Sequence, residues 1–245
     1  MALHFLLDDA SDARPGRTVV LTGAEAHHAA TVRRVRVGEE VTIGDGRGAW
    51  ATGVCASVAP REVAVEIRRR EDVPASAPRL VLVQALAKGD RDELAVQAAT
   101  ELGVAEVVPW QAARSVSRWD AAKAVKGRAR WTQIVREAAK QAHRAWVPEV
   151  GEVRTSAQIA HRAAAVPTIV LEPGASESLS ARMRQLRDAP EILLIVGPEG
   201  GIDAAELETF AAAGAHPVRL GEGVLRTSTA GPAALAAIEA LLGRW

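Results

Sequence analysis

Three stretches of this sequence combine glycine with carboxylate, guanidinium or hydroxyl groups directly after an apolar run. The first is Leu171-Glu172-Pro173-Gly174, closing TIVLEP. The second, Gly197-Pro198-Glu199-Gly200-Gly201, follows ILLIV. The third runs from Leu220 through Gly221, Glu222, Gly223, Val224, Leu225 and Arg226 to Thr227, Ser228 and Thr229, after PVRL. Glycine-rich turns at the carboxyl ends of buried strands are where open α/β sheets bind ligands, because glycine admits positive φ and close backbone approach. Glu172 and Glu199 supply carboxylates that could hold or take a proton. Arg226 supplies a charge that persists at any working pH. Each loop alone reads equally well as an ordinary turn; three together could wall one pocket.

Other chemistries lack their residues. The single cysteine, Cys55, excludes a disulfide framework and any multi-thiolate metal site. No Walker A loop, G-x-G-x-x-G, H-E-x-x-H or G-x-S-x-G is present. His27 and His28 are adjacent, so they cannot face one metal from one helix face. The histidines read as structural or exposed, with His143 set apart by its basic surroundings. No metal is expected.

Charge is unevenly spread although the net is zero. Residues 1–72 carry ten basic and eleven acidic side chains. From Arg114 to Arg144 there are nine basic residues and two acidic ones, with Trp119, Trp131 and Trp146 interleaved or just beyond. Such a stretch could neutralise phosphates while aromatic planes stack on unpaired bases. It reads as readily as a solvated helix face with the tryptophans turned inward.

The elements that must position these residues fall into two grammars. RTVVLTG, EEVTIGDG, GAWATGVCASV and REVAVEIRRR are short alternating runs, with Asp45-Gly46 as a turn and EAHHAATVRRV as a possible short helix. They predict a β-barrel or sandwich over residues 1–72, followed by a Pro-containing linker, 73–78. Beyond Arg79, strands LVLVQALA, VAEVVPW, TIVLEP, EILLIV and PVRL alternate with helices expected at 90–102, 128–144, 203–213 and from Ser228. That alternation predicts an α/β domain over 79–245 with a mostly parallel sheet. At 245 residues, 48% apolar and 24% charged, the chain is globular in composition. No apolar run approaches the roughly 20 residues of a membrane span, and MALHFLLDDASDAR lacks signal-peptide character. A cytoplasmic location is expected.

HHAATVRRVRVGE, ALAKGDRDELAVQAATELGV, EAAKQAHRAWVPEV, GPEGG and LGEGVLRTSTA together resemble the RsmE family of 16S ribosomal RNA (uracil-N3)-methyltransferases, in the SPOUT superfamily. The likeness extends over nearly the whole chain. Its first motif places the family's histidine at His28, its arginine at Arg34 and its glycine at Gly38. Ser228 stands where many members carry glutamate, so that acid's role does not transfer.

The resemblance implies a PUA-like β-barrel for RNA, then a trefoil-knotted α/β domain that binds S-adenosylmethionine. It implies a homodimer acting on 16S ribosomal RNA or the assembled small subunit. Cofactor contacts are then expected from Leu171, Glu172, Val196, Gly197, Pro198, Gly200, Gly201, Leu220, Gly221, Val224, Leu225, Arg226 and Thr227. Arg226 would stabilise an anionic uracil, with Glu199, Glu172 or water taking the N3 proton. RNA contacts are expected from His28, Arg33 and Arg34, and from Arg114, Arg128, Arg130, Arg136 and Arg144. Ribose 2′-O methylation, or a non-catalytic role as an RNA-binding protein of ribosome assembly, would use the same features.

Overall fold

Period-two alternation builds the first sheet. In the computed structural model, which describes residues 2–245, β1 (Leu3–Leu6), β2 (Thr18–Thr22), β3 (Glu40–Gly44), β4 (Ala49–Ala59) and β5 (Glu62–Asp72) pair in the order β1-β3-β4-β5-β2. β1 lies parallel to β3, and the other pairings are antiparallel. Strand β2 alternates exposed and buried positions, and Val19 and Leu21 join Phe5, Ile43, Val63, Val65 and Ile67 in one core. The turn at Asp45 forms because its Oδ1 accepts the N–H groups of Arg47, at 2.7 Å, and Ala49, at 3.1 Å. The expected helix over EAHHAATVRRV is a short α1 (Gly23–His27) continued by a π-turn, His28–Val32. The N-terminal strand β1 was not anticipated.

Contacts divide the chain into two units, residues up to Ala75 together with Ala139–Val147, and Ser76–Ala138 together with Pro148–Trp245. The first unit is therefore discontinuous, which a contiguous split at the linker does not foresee. Its second segment is tied in by the buried Lys140 ammonium, 2.8 Å from Glu25, and by Trp146, whose Nε1 donates to the Val73 carbonyl at 2.8 Å.

Continuous apolar runs build the second sheet, because it is covered on both faces. β6 (Arg79–Ala85), β7 (Glu106–Trp110), β8 (Glu149–Val150), β9 (Thr168–Leu171), β10 (Glu191–Val196) and β11 (His216–Val218) stand in the order β11-β9-β10-β6-β7-β8, every pair parallel. The chain winds outward from β6 in one direction through β7 and β8, and β9, β10 and β11 fill the other side. The helices are α2 (Arg91–Glu101), α3 (Ala121–Gln141), α4 (Ser156–Ala163), α5 (Leu179–Leu186), α6 (Ala204–Ala212) and α7 (Thr227–Leu241). Helices α4 and α5 were not anticipated.

Local chemistry sets the helix ends. Asp203 caps α6 through the Ala205 N–H, and Glu206 completes a capping box. Helix α3 begins at Ala121, before the expected Arg128, because Asp120 Oδ1 accepts the Lys123 N–H at 2.9 Å. It ends at Gln141, before the expected Arg144, where His143 turns left-handed at φ 53°. Gly231 brings α7 onto the sheet: a Cβ there would stand 3.1 Å from Leu82 Cδ1 and 3.4 Å from Val196 Cγ2.

At the amino ends of the strands, Arg79 bonds Glu106 and Glu191 at 2.6 and 2.9 Å, and Arg162 of α4 bonds the same two carboxylates at 2.8 Å each. This network closes the amino ends of the sheet, opposite the loops at the carboxyl ends. The site lies there.

Candidate active site

Three loops leave the carboxyl ends of β9, β10 and β11 and enclose a cavity of about 610 Å³. That volume falls within the roughly 300–1,000 Å³ of small-molecule sites. Every one of the thirteen residues expected to contact a cofactor lines it, from Leu171 and Glu172 through Val196 to Thr227. Arg91, Pro173, Ile202, Gly223 and Ala230 also line it. Arg91 was missed because nothing in its local sequence shows that the start of α2 reaches the loop after β10.

The cavity's chemistry is of two kinds. Leu171, Val196, Ile202, Leu220, Val224 and Leu225 present apolar surface, with Val224 78% and Leu225 42% exposed. Large apolar groups so open on a cavity wall suit a flat apolar ligand. Among the described residues, the backbone groups of residues 220–225 make no hydrogen bond within the protein. A Cβ at Gly221 or Gly223 would meet nothing within 4 Å. This wall is bare backbone with unspent donors and acceptors, able to read a polar edge. An adenosyl group, part apolar ring and part hydrogen-bonding edge, fits such a surface. At Gly197 the requirement is close packing, since a Cβ there would stand 2.6 Å from Ile202 Cγ1.

The charged residues separate by their partners. Arg226 stands just before α7, exposed, and makes no ion pair or side-chain hydrogen bond among the described residues. It is available to a ligand. Glu199 is not: its Oε1 accepts the Lys88 N–H and an Arg91 N–H, both at 3.0 Å. Desolvation pushes this carboxyl up, but its own and Lys88's N–H groups and the Arg91 guanidinium outweigh that and hold it below the usual carboxylate range. Of the two expected carboxylates, Glu199 is thus the one engaged within the protein, and its bonds tie the loop after β10 to the start of α2. Glu172 lines the cavity with a single longer bond, from the Gly174 N–H at 3.3 Å.

The basic stretch is less free than its charge count suggests. Arg114 wraps the loop after β10, donating to the Gly200 carbonyl at 3.2 Å and pairing with Asp203 at 3.1 Å. Arg128 donates to the Val150 carbonyl, and Arg130 donates to both Glu93 oxygens. Arg136 and Arg144 are also engaged. Trp131 is 1% exposed and meets Trp119 edge-on at 5.6 Å, so it is core and no platform for a base. In the first unit, Arg33 and Arg34 are exposed and without ion pairs among the described residues, and Arg34 has a left-handed backbone, φ 53°. His28 is half-buried, its ring edge-on to Phe5. Among the described residues no cluster of three or more His, Cys, Asp or Glu could hold a metal, and no helix is long and apolar enough to cross a membrane.

Residues 75–239 match the family model of an RNA methyltransferase domain, and residues 21–68 that of an RNA methyltransferase PUA domain. Fold, cavity and these matches define an RNA methyltransferase of the SPOUT class. The chain is 41% identical over 250 residues to the Ribosomal RNA small subunit methyltransferase E of Mycobacterium bovis, covering 100% of this chain and 94% of that one. The protein of that name from Bacillus subtilis is 34% identical over 228 residues, 90% of this chain and 89% of the relative. A crystal structure of a Ribosomal RNA small subunit methyltransferase E from Neisseria gonorrhoeae, bound to S-adenosyl methionine, is similar with a TM-score of 0.86 at 29% identity, covering 98% of each chain. The chain belongs to the ribosomal RNA small subunit methyltransferase E family.

Proposed function

We propose that this protein is an S-adenosylmethionine-dependent methyltransferase that methylates N3 of a uridine in 16S ribosomal RNA. The observation that carries the reading is the convergence of three strand-end loops on one cavity, part apolar and part unspent backbone, with the unpaired Arg226 on its wall. When bound, S-adenosylmethionine supplies a methyl group on a positively charged sulfur.

The protein's work is to bind, orient and adjust charge. Leu171, Val196, Leu220, Val224 and Leu225 hold the adenine ring, and backbone groups of residues 220–225 read its edge. The uracil N3 carries a proton at neutral pH, and its lone pair is freed only as that proton leaves. Arg226 stabilises the negative charge that then spreads over the base, through charge-assisted hydrogen bonds. With Glu199 committed to Lys88 and Arg91, the proton passes to Glu172 or to water. Arg33, Arg34 and His28 contact the RNA from the first unit. The working form is a homodimer in the cytoplasm, a reading supported by the family resemblance.

Calorimetric titration with S-adenosylmethionine, followed by nucleoside analysis of 16S RNA from treated small subunits, tests the reading. Methyl on uracil N3 supports it. Methyl on a ribose hydroxyl, or no binding at all, overturns it. Sedimentation of the free protein checks the dimer.

A further inference from the structure

Strand β6 is apolar throughout its buried length except at Gln84, which is fully buried. Its Nε2 donates to Thr227 Oγ1 at 2.9 Å and to the Ala85 carbonyl at 3.2 Å. Thr227 Oγ1 in turn donates to the Gly197 carbonyl at 2.8 Å. The direction of this chain is fixed by counting hydrogens. The hydroxyl has one, spent on Gly197, so it faces Gln84 as an acceptor. The Ala85 carbonyl is also an acceptor, so the amide must turn its nitrogen toward both. Gln84 Oε1 then points where no donor exists, and it is buried without a partner.

A buried amide with an unsatisfied oxygen is costly for stability, and what it gives in return is its nitrogen, which serves the Ala85 carbonyl and Thr227. What the amide provides is a fixed position for Thr227. That threonine opens α7, next to Arg226, whose side chain makes no capping bond. Residues 220–225 make no backbone hydrogen bonds among the described residues, so this hydroxyl is what ties the end of the loop to the wall at Gly197. The same hydroxyl holds the carbonyl of Gly197, on the neighbouring wall of the cavity. We infer that Gln84, although it does not line the cavity, is a positioning residue: through Thr227 it fixes the loop of residues 220–227 against the loop after β10, so that the cavity is ordered before ligand arrives. This rests on the cavity being the cofactor site. Ordering a wall beforehand spares the ligand that entropic cost, so loss of the strut should appear as weaker binding.

The test uses the full chain with the substitutions Gln84→Met, Thr227→Val and Thr227→Ser. Three properties are read: melting temperature without ligand, hydrogen exchange of the Thr229 and Ala230 amides without ligand, and S-adenosylmethionine affinity by calorimetry. Those two amides are bonded to the Arg226 carbonyl and report the seating of the first turn of α7. Gln84→Met, which removes one unpaired oxygen and takes one donor from the Ala85 carbonyl, should melt close to the parent temperature, exchange at least fivefold faster at the two amides, and bind cofactor at least tenfold more weakly. Thr227→Val, which leaves the Gln84 amide and the Gly197 carbonyl without this partner, should exchange as fast and melt lower. Thr227→Ser, which keeps the hydroxyl, should exchange near the parent rate. These two are compared by exchange because Thr227 itself lines the cavity. Parent affinity and parent exchange in folded Gln84→Met overturn the inference. So does a lower melting temperature for Gln84→Met with parent exchange in Thr227→Val, which would mark a packing role. Should Gln84→Met fail to fold, Thr227→Val against Thr227→Ser decides. If the parent itself binds no S-adenosylmethionine, the cofactor reading fails, and the exchange rates still decide whether the strut exists.

Discussion

Acidification should loosen the first unit well above the pH at which carboxylates titrate, because of His4. This side chain is 6% exposed and stacked on Trp50 with ring centroids 4.3 Å apart. Its Nδ1 lies 2.9 Å from Thr42 Oγ1, and its Nε2 has no partner. Burial first, then the positive neighbours His143 and Lys140, bring its pKa down from 6.5 to about 3, with the Thr42 bond opposing. The unfolded chain therefore takes up a proton near pH 6.5 that the folded chain refuses until about pH 3. Stability is complete above pH 6.5 and falls as pH drops through the window between the two values.

Between pH 8 and pH 4.5 the loss is about 3 kcal/mol, from roughly two pH units below the unfolded value at about 1.4 kcal/mol each. That figure barely depends on the folded pKa, because at pH 4.5 the folded histidine is still almost entirely neutral. Urea unfolding followed by tryptophan fluorescence, at half-unit steps from pH 8 to 4.5, measures it. His4→Phe keeps the stacking on Trp50 and removes the titration. It loses the Thr42 bond at every pH, a constant offset, while the slope should flatten by the stated amount. Parallel stability curves for the parent and His4→Phe would refute the reasoning.

Three further outcomes follow from the site. Arg226→Ala should lower kcat on the order of 100–1,000-fold in single-turnover assays, with cofactor affinity close to the parent's, because the charge it meets develops only near the transition state; near-normal methyl transfer by the folded variant would remove it from the chemistry. Gly221→Val should abolish or strongly weaken cofactor binding while melting normally, since nothing in the protein stands within 4 Å of its Cβ; Gly197→Val, 2.6 Å from Ile202 Cγ1, should lower the melting temperature itself. Replacing Arg33 and Arg34 together by alanine should make the slope of log K against log[salt] for RNA binding shallower by about 1.4–1.8, two contacts at roughly 0.7–0.9 each, whereas Arg130→Ala, already neutralised by Glu93, should leave that slope unchanged.

Much of the cavity's lining was legible because its determinants are local. A buried strand followed by a glycine turn and a helix start is written within about a dozen residues, and parallel α/β topology sends such turns to one end of the sheet. Thus Gly197, Gly221 and Arg226 could be named from the chain alone. Arg91 and Gln84 could not. Arg91 opens a helix with no unusual local signal, and Gln84 is one polar residue in an apolar strand. Their meaning comes from Glu199 and Thr227, more than a hundred positions away.

The basic stretch is harder to read for the complementary reason. Counting nine cations against two anions over residues 114–144 treats the segment as if its neighbours in sequence were its neighbours in space. Its anions come from elsewhere: Glu93 in α2 for Arg130, Asp203 before α6 for Arg114, and Glu25 in α1 for Lys140. The alternative weighed at the start, tryptophans inward and charges on a structured face, describes Trp131 as it is found. A run of arginines measures potential for phosphate only after its intramolecular carboxylates are subtracted. By that criterion Arg33 and Arg34, exposed and without ion pairs among the described residues, keep a charge that Arg114 and Arg130 have already shared with carboxylates of the protein.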